Sequence, residues 1–107
     1  MDTRALLFTD IVNSTTVVRR LGDAAAASLW SEHDRLARTL LAEHGGLEID
    51  RSDGFLLLFD DVASAARFAV GYHAAVAGLH LAARVGIHHG PVTLRRNPPQ
   101  AVARGAK

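Results

Sequence analysis

Ala5-Leu6-Leu7-Phe8-Thr9-Asp10-Ile11-Val12-Asn13-Ser14-Thr15-Thr16 starts as an apolar run and ends in hydroxyl-rich sequence, with a single acid at the join. Residues from about Arg4 to Ile11 read as a short buried strand, and Asn13 or Ser14 can cap a helix that begins directly after it. An acid at a strand end beside a helix start is a setting for metal-bound phosphate chemistry. The carboxylate offers hard oxygen, and the exposed N–H groups of a helix start attract phosphate without any basic side chain.

Moving outward, a first short helix reaches Gly22. From Asp23 the apolar positions Leu29/Trp30, His33, Leu36/Ala37 and Leu40/Leu41 recur at helical spacing until Gly45-Gly46 stops them. Leu47, Ile49 and then Phe55 to Phe59 flank Asp53-Gly54 as two strands flank a tight turn, where glycine tolerates the positive φ such turns need. A second acid therefore stands in Asp50-Arg51-Ser52-Asp53-Gly54. Asp61 can cap a helix carrying Val62, Ala65, Ala66, Ala69, His73 and Val76 on one face, with Gly78 at its end. Ala82 to His88 reads as the fourth strand and Gly90-Pro91 as its break. Val92-Thr93-Leu94 reads as a fifth strand, before Asn97-Pro98-Pro99 turns the chain into a short Ala/Val/Arg segment ending at Lys107.

The order strand, two helices, hairpin, helix, strand predicts one α+β domain over residues 1–107. Its architecture is a ferredoxin-like split βαβ, with helices on one face of an antiparallel sheet. The first and third strands are then antiparallel neighbours at the centre, the end of one beside the start of the other. Asp10 and Asp53 are expected to meet, and together they can hold a hard divalent cation over a nucleoside triphosphate.

Composition narrows the classes of function. The 107 residues are 49% hydrophobic and 21% charged, the balance of a globular core rather than of disorder. Twelve Lys+Arg against eleven Asp+Glu leave a formal charge of +1, and Arg84, Arg95, Arg96, Arg104 and Lys107 are scattered, so no basic patch points to nucleic acid. No apolar run approaches the roughly 20 residues needed to span a bilayer. The absence of cysteine fits a reducing compartment, and the cytoplasm is the expected location. The six histidines include His88-His89, but neighbours on a strand point to opposite faces and are poorly placed to share a zinc ion. His33 and His73 read as packing or interfacial residues, and Trp30 as core or dimer surface.

Three segments in register resemble the class III adenylate/guanylate cyclase catalytic domain. They are Leu7 to Thr15, the Ile49 to Phe59 hairpin with Asp53-Gly54, and Arg84-Val85-Gly86-Ile87-His88-His89-Gly90. The resemblance covers nearly the whole chain but only the first half, or somewhat more, of the family's domain. It implies that Asp10 and Asp53 match the two metal-binding aspartates, that Ile11 matches the residue giving a backbone carbonyl to one ion, and that Asn13, Ser14 and Thr15 match the turn whose amides hold the triphosphate. The implied cofactors are two Mg²⁺ or Mn²⁺ ions. The implied reaction is attack of the ribose 3′-hydroxyl on the α-phosphorus of ATP, or less favourably GTP, releasing pyrophosphate and a 3′,5′-cyclic nucleotide.

The sequence also departs from that pattern. Ile49 stands where active members carry a base-selecting lysine, and Ser52 where glycine precedes the second aspartate. The family's remaining determinants fall beyond Lys107, so this stretch alone is expected to be inactive and the full-length protein to work as a homodimer. A sheet without its later strands exposes an edge and apolar surface, which predicts an oligomer. The rival reading is a degenerate cyclase-homology module that binds nucleotide or dimerises as a regulatory scaffold. A ferredoxin-like RNA-binding domain ranks last, because base stacking needs exposed aromatics on the sheet and only six aromatics are present.

Overall fold

Alternating burial along the first strand sets the architecture. The computed structural model describes residues 2–97 and 100–103. In it β1 (Asp2–Ile11) turns Ala5, Leu7, Thr9 and Ile11 inward on one side while Phe8 and Asp10 stay exposed on the other. This period of two lets a strand serve two faces. Two helices follow, α1 (Ser14–Leu21) and α2 (Asp23–Glu43), then the hairpin β2 (Leu47–Arg51) and β3 (Phe55–Phe59), the helix α3 (Val62–Gly78) and β4 (Ala83–Val92). The main sheet is antiparallel in the order β2-β3-β1-β4, so β1 and β3 are the central neighbours, as expected from the element order. A separate two-stranded ribbon pairs β5 (Leu94–Asn97) with β6 (Gln100–Ala103).

One face carries the main core. Ala5, Leu7 and Ile11 with Phe55, Leu57 and Phe59 meet Ala37 and Leu41 of α2 and Ala65, Phe68, Tyr72 and Val76 of α3. Truncating a fully buried ring such as Phe68 costs about 3–5 kcal/mol in cores of this kind. The opposite face has a thinner apolar layer of Leu6, Leu58 and Val92 with Ile49 and Leu56 beside them. There Phe8 and Leu47 remain 53% exposed. The Phe8 ring lies over Gly86, where a Cβ would stand 2.5 Å from the ring.

Several sequence expectations shift. The inward face of α3 runs through Ala65, Phe68, Tyr72 and Val76 rather than through Ala66 and His73, which are exposed. The large aromatics, not the string of alanines, decide which way the helix turns. β4 does not break at Gly90-Pro91. It continues to Val92 with Pro91 opposite Thr3, and as an edge strand it can carry a residue that donates no hydrogen bond. Val92 therefore closes β4 and Leu94 opens β5. Asn97 and Gln100 pair across the expected turn, while Pro98, Pro99 and residues 104–107 lie outside the described residues. Asp61 caps α3 as expected, its Oδ1 accepting from the Ser64 N–H at 2.7 Å. The register of β2 against β3 shifts between Glu48 and Asp50, making Ile49 an extra residue in the ladder.

Candidate functional site

The end of β1 and the turn between β2 and β3 are pressed together. Thr9 is buried, and its Oγ1 accepts the Phe55 N–H at 3.0 Å. A Cβ on Gly54 would stand 1.8 Å from the Thr9 carbonyl oxygen. Gly54 is thus required by close approach, not by the positive φ expected of the turn, since among the described residues the glycines with positive φ are Gly22 and Gly45. The Ser52 N–H donates to the Gly54 carbonyl at 3.0 Å and closes the turn. Continuing the β1–β3 register past Phe8↔Leu56 brings Asp10 opposite Gly54, next in sequence to Asp53.

A cavity of about 500 Å³ opens on the helix side of this junction. Ile11, Ser14, Thr15 and Asp53 line it, together with Thr9, Trp30, His33 and Arg51. Asp10 and Asn13 do not. Asp10 faces the other side of the sheet, where Arg84 Nη2 donates to its Oδ2 at 2.9 Å. Both partners are more than half exposed, so this pair contributes about 0.2–1 kcal/mol at most. The structure therefore joins the two main-chain segments that bear the acids, and gives the two carboxylates different surroundings.

Asn13 occupies the N-cap of α1 in a left-handed conformation (φ 56°, ψ 39°), one that asparagine adopts more readily than most residues. Its carbonyl accepts the Val17 N–H at 3.1 Å, but its side chain makes no capping bond. The expectation that an Asn13 or Ser14 side chain caps the helix is corrected accordingly. The first turn of α1 starts with no side-chain cap from Asn13 on its amides, as an anion-accepting helix start requires.

Behind the cavity runs a polar chain that no local spacing announces. His33 is 2% exposed, with Nε2 2.6 Å from the Tyr72 hydroxyl and Nδ1 2.8 Å from Asp34 Oδ1. An ionised carboxylate only accepts, so Nδ1 carries the proton and donates; in that tautomer Nε2 accepts from Tyr72. Arg51 Nη2 donates to Asp34 Oδ1 at 2.9 Å, its Nη1 donates to the Ser52 carbonyl at 2.5 Å, and its guanidinium lies 4.8 Å from the Phe55 ring centroid. Burial pushes the Asp34 carboxyl upward, but hydrogen bonds from Arg51 and His33 outweigh it and hold the group below its ordinary value. Burial raises the Tyr72 hydroxyl, a hydrogen bond with Thr9 opposing it in part.

Among the described residues no three His, Asp or Glu side chains gather as a metal-holding group. Two aspartates at one junction still suit a hard cation, because Mg²⁺ and Mn²⁺ commonly take one or two carboxylates and complete their shells with water and phosphate oxygen. His88 lies opposite Leu6 and His89 opposite Ala5, so the adjacent imidazoles project from opposite faces. Arg84, Arg51, Asp34 and His33 are the candidate-site residues whose contacts sequence reasoning missed. Arg84 was visible only as a member of its motif, and nothing in the spacing announced its partner in β1.

No protein-family model and no curated protein matches this chain. Solved structures do. The adenylyl cyclase CyaB from P. aeruginosa superposes with a TM-score of 0.87 at 16% identity, over 94% of this chain and 64% of that one. The dimeric guanylyl cyclase domain of the RhoGC fusion protein from the aquatic fungus Blastocladiella emersonii gives 0.81 at 18% identity, over 99% and 68%. The guanylate cyclase domain of RhGC from Catenaria anguillulae, in complex with GTP, gives 0.71 at 21% identity, over 95% and 64%. The chain has the fold of adenylyl and guanylyl cyclase catalytic domains and spans about two thirds of the length of these structures.

Proposed function

We propose that this chain is the metal- and phosphate-binding part of a nucleotide cyclase domain that forms a 3′,5′-cyclic nucleotide and pyrophosphate from ATP, or less favourably GTP. The observation that carries the reading is the packing of Gly54 on the Thr9 carbonyl, which joins the strand end bearing Asp10 to the turn bearing Asp53 within a cyclase fold. Asp10, turned from Arg84, would join Asp53 and the Ile11 carbonyl in holding two Mg²⁺ or Mn²⁺ ions, and Asn13, Ser14 and Thr15 would present the start of α1 to the triphosphate. The chemistry such ions would supply is acidification of the ribose 3′-hydroxyl and neutralisation of charge on the departing pyrophosphate.

This chain's own residues orient the substrate. The uncapped start of α1 takes the phosphates by N–H donation, and the buried Thr9 hydroxyl fixes β3 beside β1. Arg84 pairs with Asp10 and would compete with a divalent cation for it. The exposed Phe8 and Leu47 on the open sheet face support a homodimer, with base-reading residues contributed by the partner. No helix among the described residues is long and apolar enough to cross a membrane, and the lack of cysteine supports a reducing, cytoplasmic setting.

Calorimetry of Mn²⁺–ATP binding to wild type, Asp10→Ala and Asp53→Asn tests the site. Heat in wild type that is lost in both variants supports it. Negligible heat in all three favours the second reading, a scaffold without nucleotide, for which Ile49 and Ser52 speak. Assaying cyclic nucleotide formation by a longer chain with every downstream residue present tests the enzyme itself.

A further inference from the structure

We propose that Arg51 and Asp34 are positioning residues that fix where the Asp53 carboxylate stands. The inference rests on the reading above that Asp53 holds a divalent cation. The guanidinium of Arg51 is committed in three directions at once: to the Asp34 carboxylate, to the face of Phe55, and to the Ser52 carbonyl. That carbonyl belongs to the peptide bond leading into Asp53, so the arginine grips the main chain immediately before the acid. Asp34 is held in turn by His33, and His33 by Tyr72 in the centre of α3. The turn is thereby tied to two helices through a line of directional bonds.

From the other side Gly54 rests on the Thr9 carbonyl with no room for a Cβ. One contact limits how far the turn can approach β1, and the ion pair limits how far it can move from α2. Both partners of that pair are only 23% exposed, so solvent screens it less than a surface bridge. An apolar contact would hold α2 to the hairpin equally well but would leave the turn free to rotate. A forked guanidinium sets orientation as well as distance.

The test is an NMR titration of the whole chain with Mn²⁺ alone, read as paramagnetic broadening of backbone amides, with thermal midpoints recorded beside it. In wild type the amides near Asp10 and those of residues 53–54 broaden together. In Arg51→Met, half-broadening of these amides requires about ten-fold more Mn²⁺, as losses of outer-shell support commonly do. Arg51→Lys, which keeps the charge but not the fork, falls between the two. A lowered thermal midpoint with unchanged half-broadening at 53–54 shows a merely structural pair and overturns the proposal. If Arg51→Met does not fold, Asp34→Asn carries the same comparison with the same expected and overturning results. Unchanged broadening in Asp53→Asn overturns the metal reading itself, a failure distinct from that of the positioning pair.

Discussion

Arg84 reaches across the open face of the sheet to Asp10, its Nη2 2.9 Å from Oδ2, from the strand position directly opposite in the β1–β4 register. A cation and an acid thus face each other at the strand end where a divalent ion is proposed to bind. Arg84→Gln is expected to change folding stability by less than about 1 kcal/mol, because the pair is exposed. The same variant is expected to bind Mn²⁺ more tightly, since Asp10 is released from a competing charge. Denaturant unfolding and Mn²⁺ titration on one preparation measure both; weaker Mn²⁺ binding would show that Arg84 supports the site instead of competing for it.

Gly54→Ala is expected to destabilise the fold by about 1–3 kcal/mol, the usual range for an atom forced into filled space. The obstacle is the main-chain carbonyl of Thr9, which cannot swing aside as a side-chain tip would. Ala at Gly78, where a Cβ meets nothing within 4 Å, serves as the control. Equal urea midpoints for the two variants would refute the close approach.

Tyr72→Phe removes the partner of His33 Nε2 in a buried setting and is expected to cost about 1–3 kcal/mol, the penalty for a buried polar atom left unsatisfied. The shape of the core is preserved, so a loss of this size reports the hydrogen bond. A change within error of zero by chemical denaturation would mean that water takes the hydroxyl's place.

Acid stability carries the signature of Asp34. Its carboxyl is held below the ordinary value of 3.8 in the folded chain, so it contributes stability that is present above that value and lost as pH falls through the lower, folded pKa. The folded chain is therefore expected to weaken below about pH 4, and Asp34→Asn to show a shallower decline over the same window. At the other end, the raised Tyr72 hydroxyl favours the folded state while protonated, so stability is expected to fall as pH climbs above 10.0. Parallel acid profiles for wild type and Asp34→Asn would remove the first assignment.

Self-association is expected to depend on the open face. Replacing Phe8 and Leu47 together by Glu places two like charges where two apolar side chains are 53% exposed, and should shift an oligomer towards monomer in light scattering. An unchanged mass would move the interface elsewhere, to the β4 edge first.

The fold was legible because its signals are local. Apolar runs of strand length, Gly45-Gly46 after a helical period, and Asp61 ahead of another each act over a few residues. The orientation of α3 was not legible, since three alanines and a histidine mimic an apolar face as well as Phe68 and Tyr72 do, and only ring size decides. Pro91 misled because a proline's tolerance depends on whether its strand lies at an edge, which is a property of the sheet and not of the strand. At the site, the acids stood out by type and spacing. Arg51, Asp34 and His33 did not, because their meaning lies in contacts between elements 17 residues apart or more.

The bulge at Ile49 sets the parity of everything after it. With the bulge in place, Asp50 falls opposite Leu56 and Arg51 opposite Phe55, so the arginine looks toward α2. Were the same residues to run as a regular strand from Glu48, the alternation would invert: Asp50 would turn to the side of Asp34, acid against acid, and Arg51 would look away. Loss of Ile49 itself would make Glu48↔Leu57 and Asp50↔Leu56 consecutive pairs and leave Arg51 opposite Phe55, whereas loss of the bulge with the length kept reverses the sign of the charge presented to the helices. The hairpin can therefore shed its extra residue more safely than it can straighten around it.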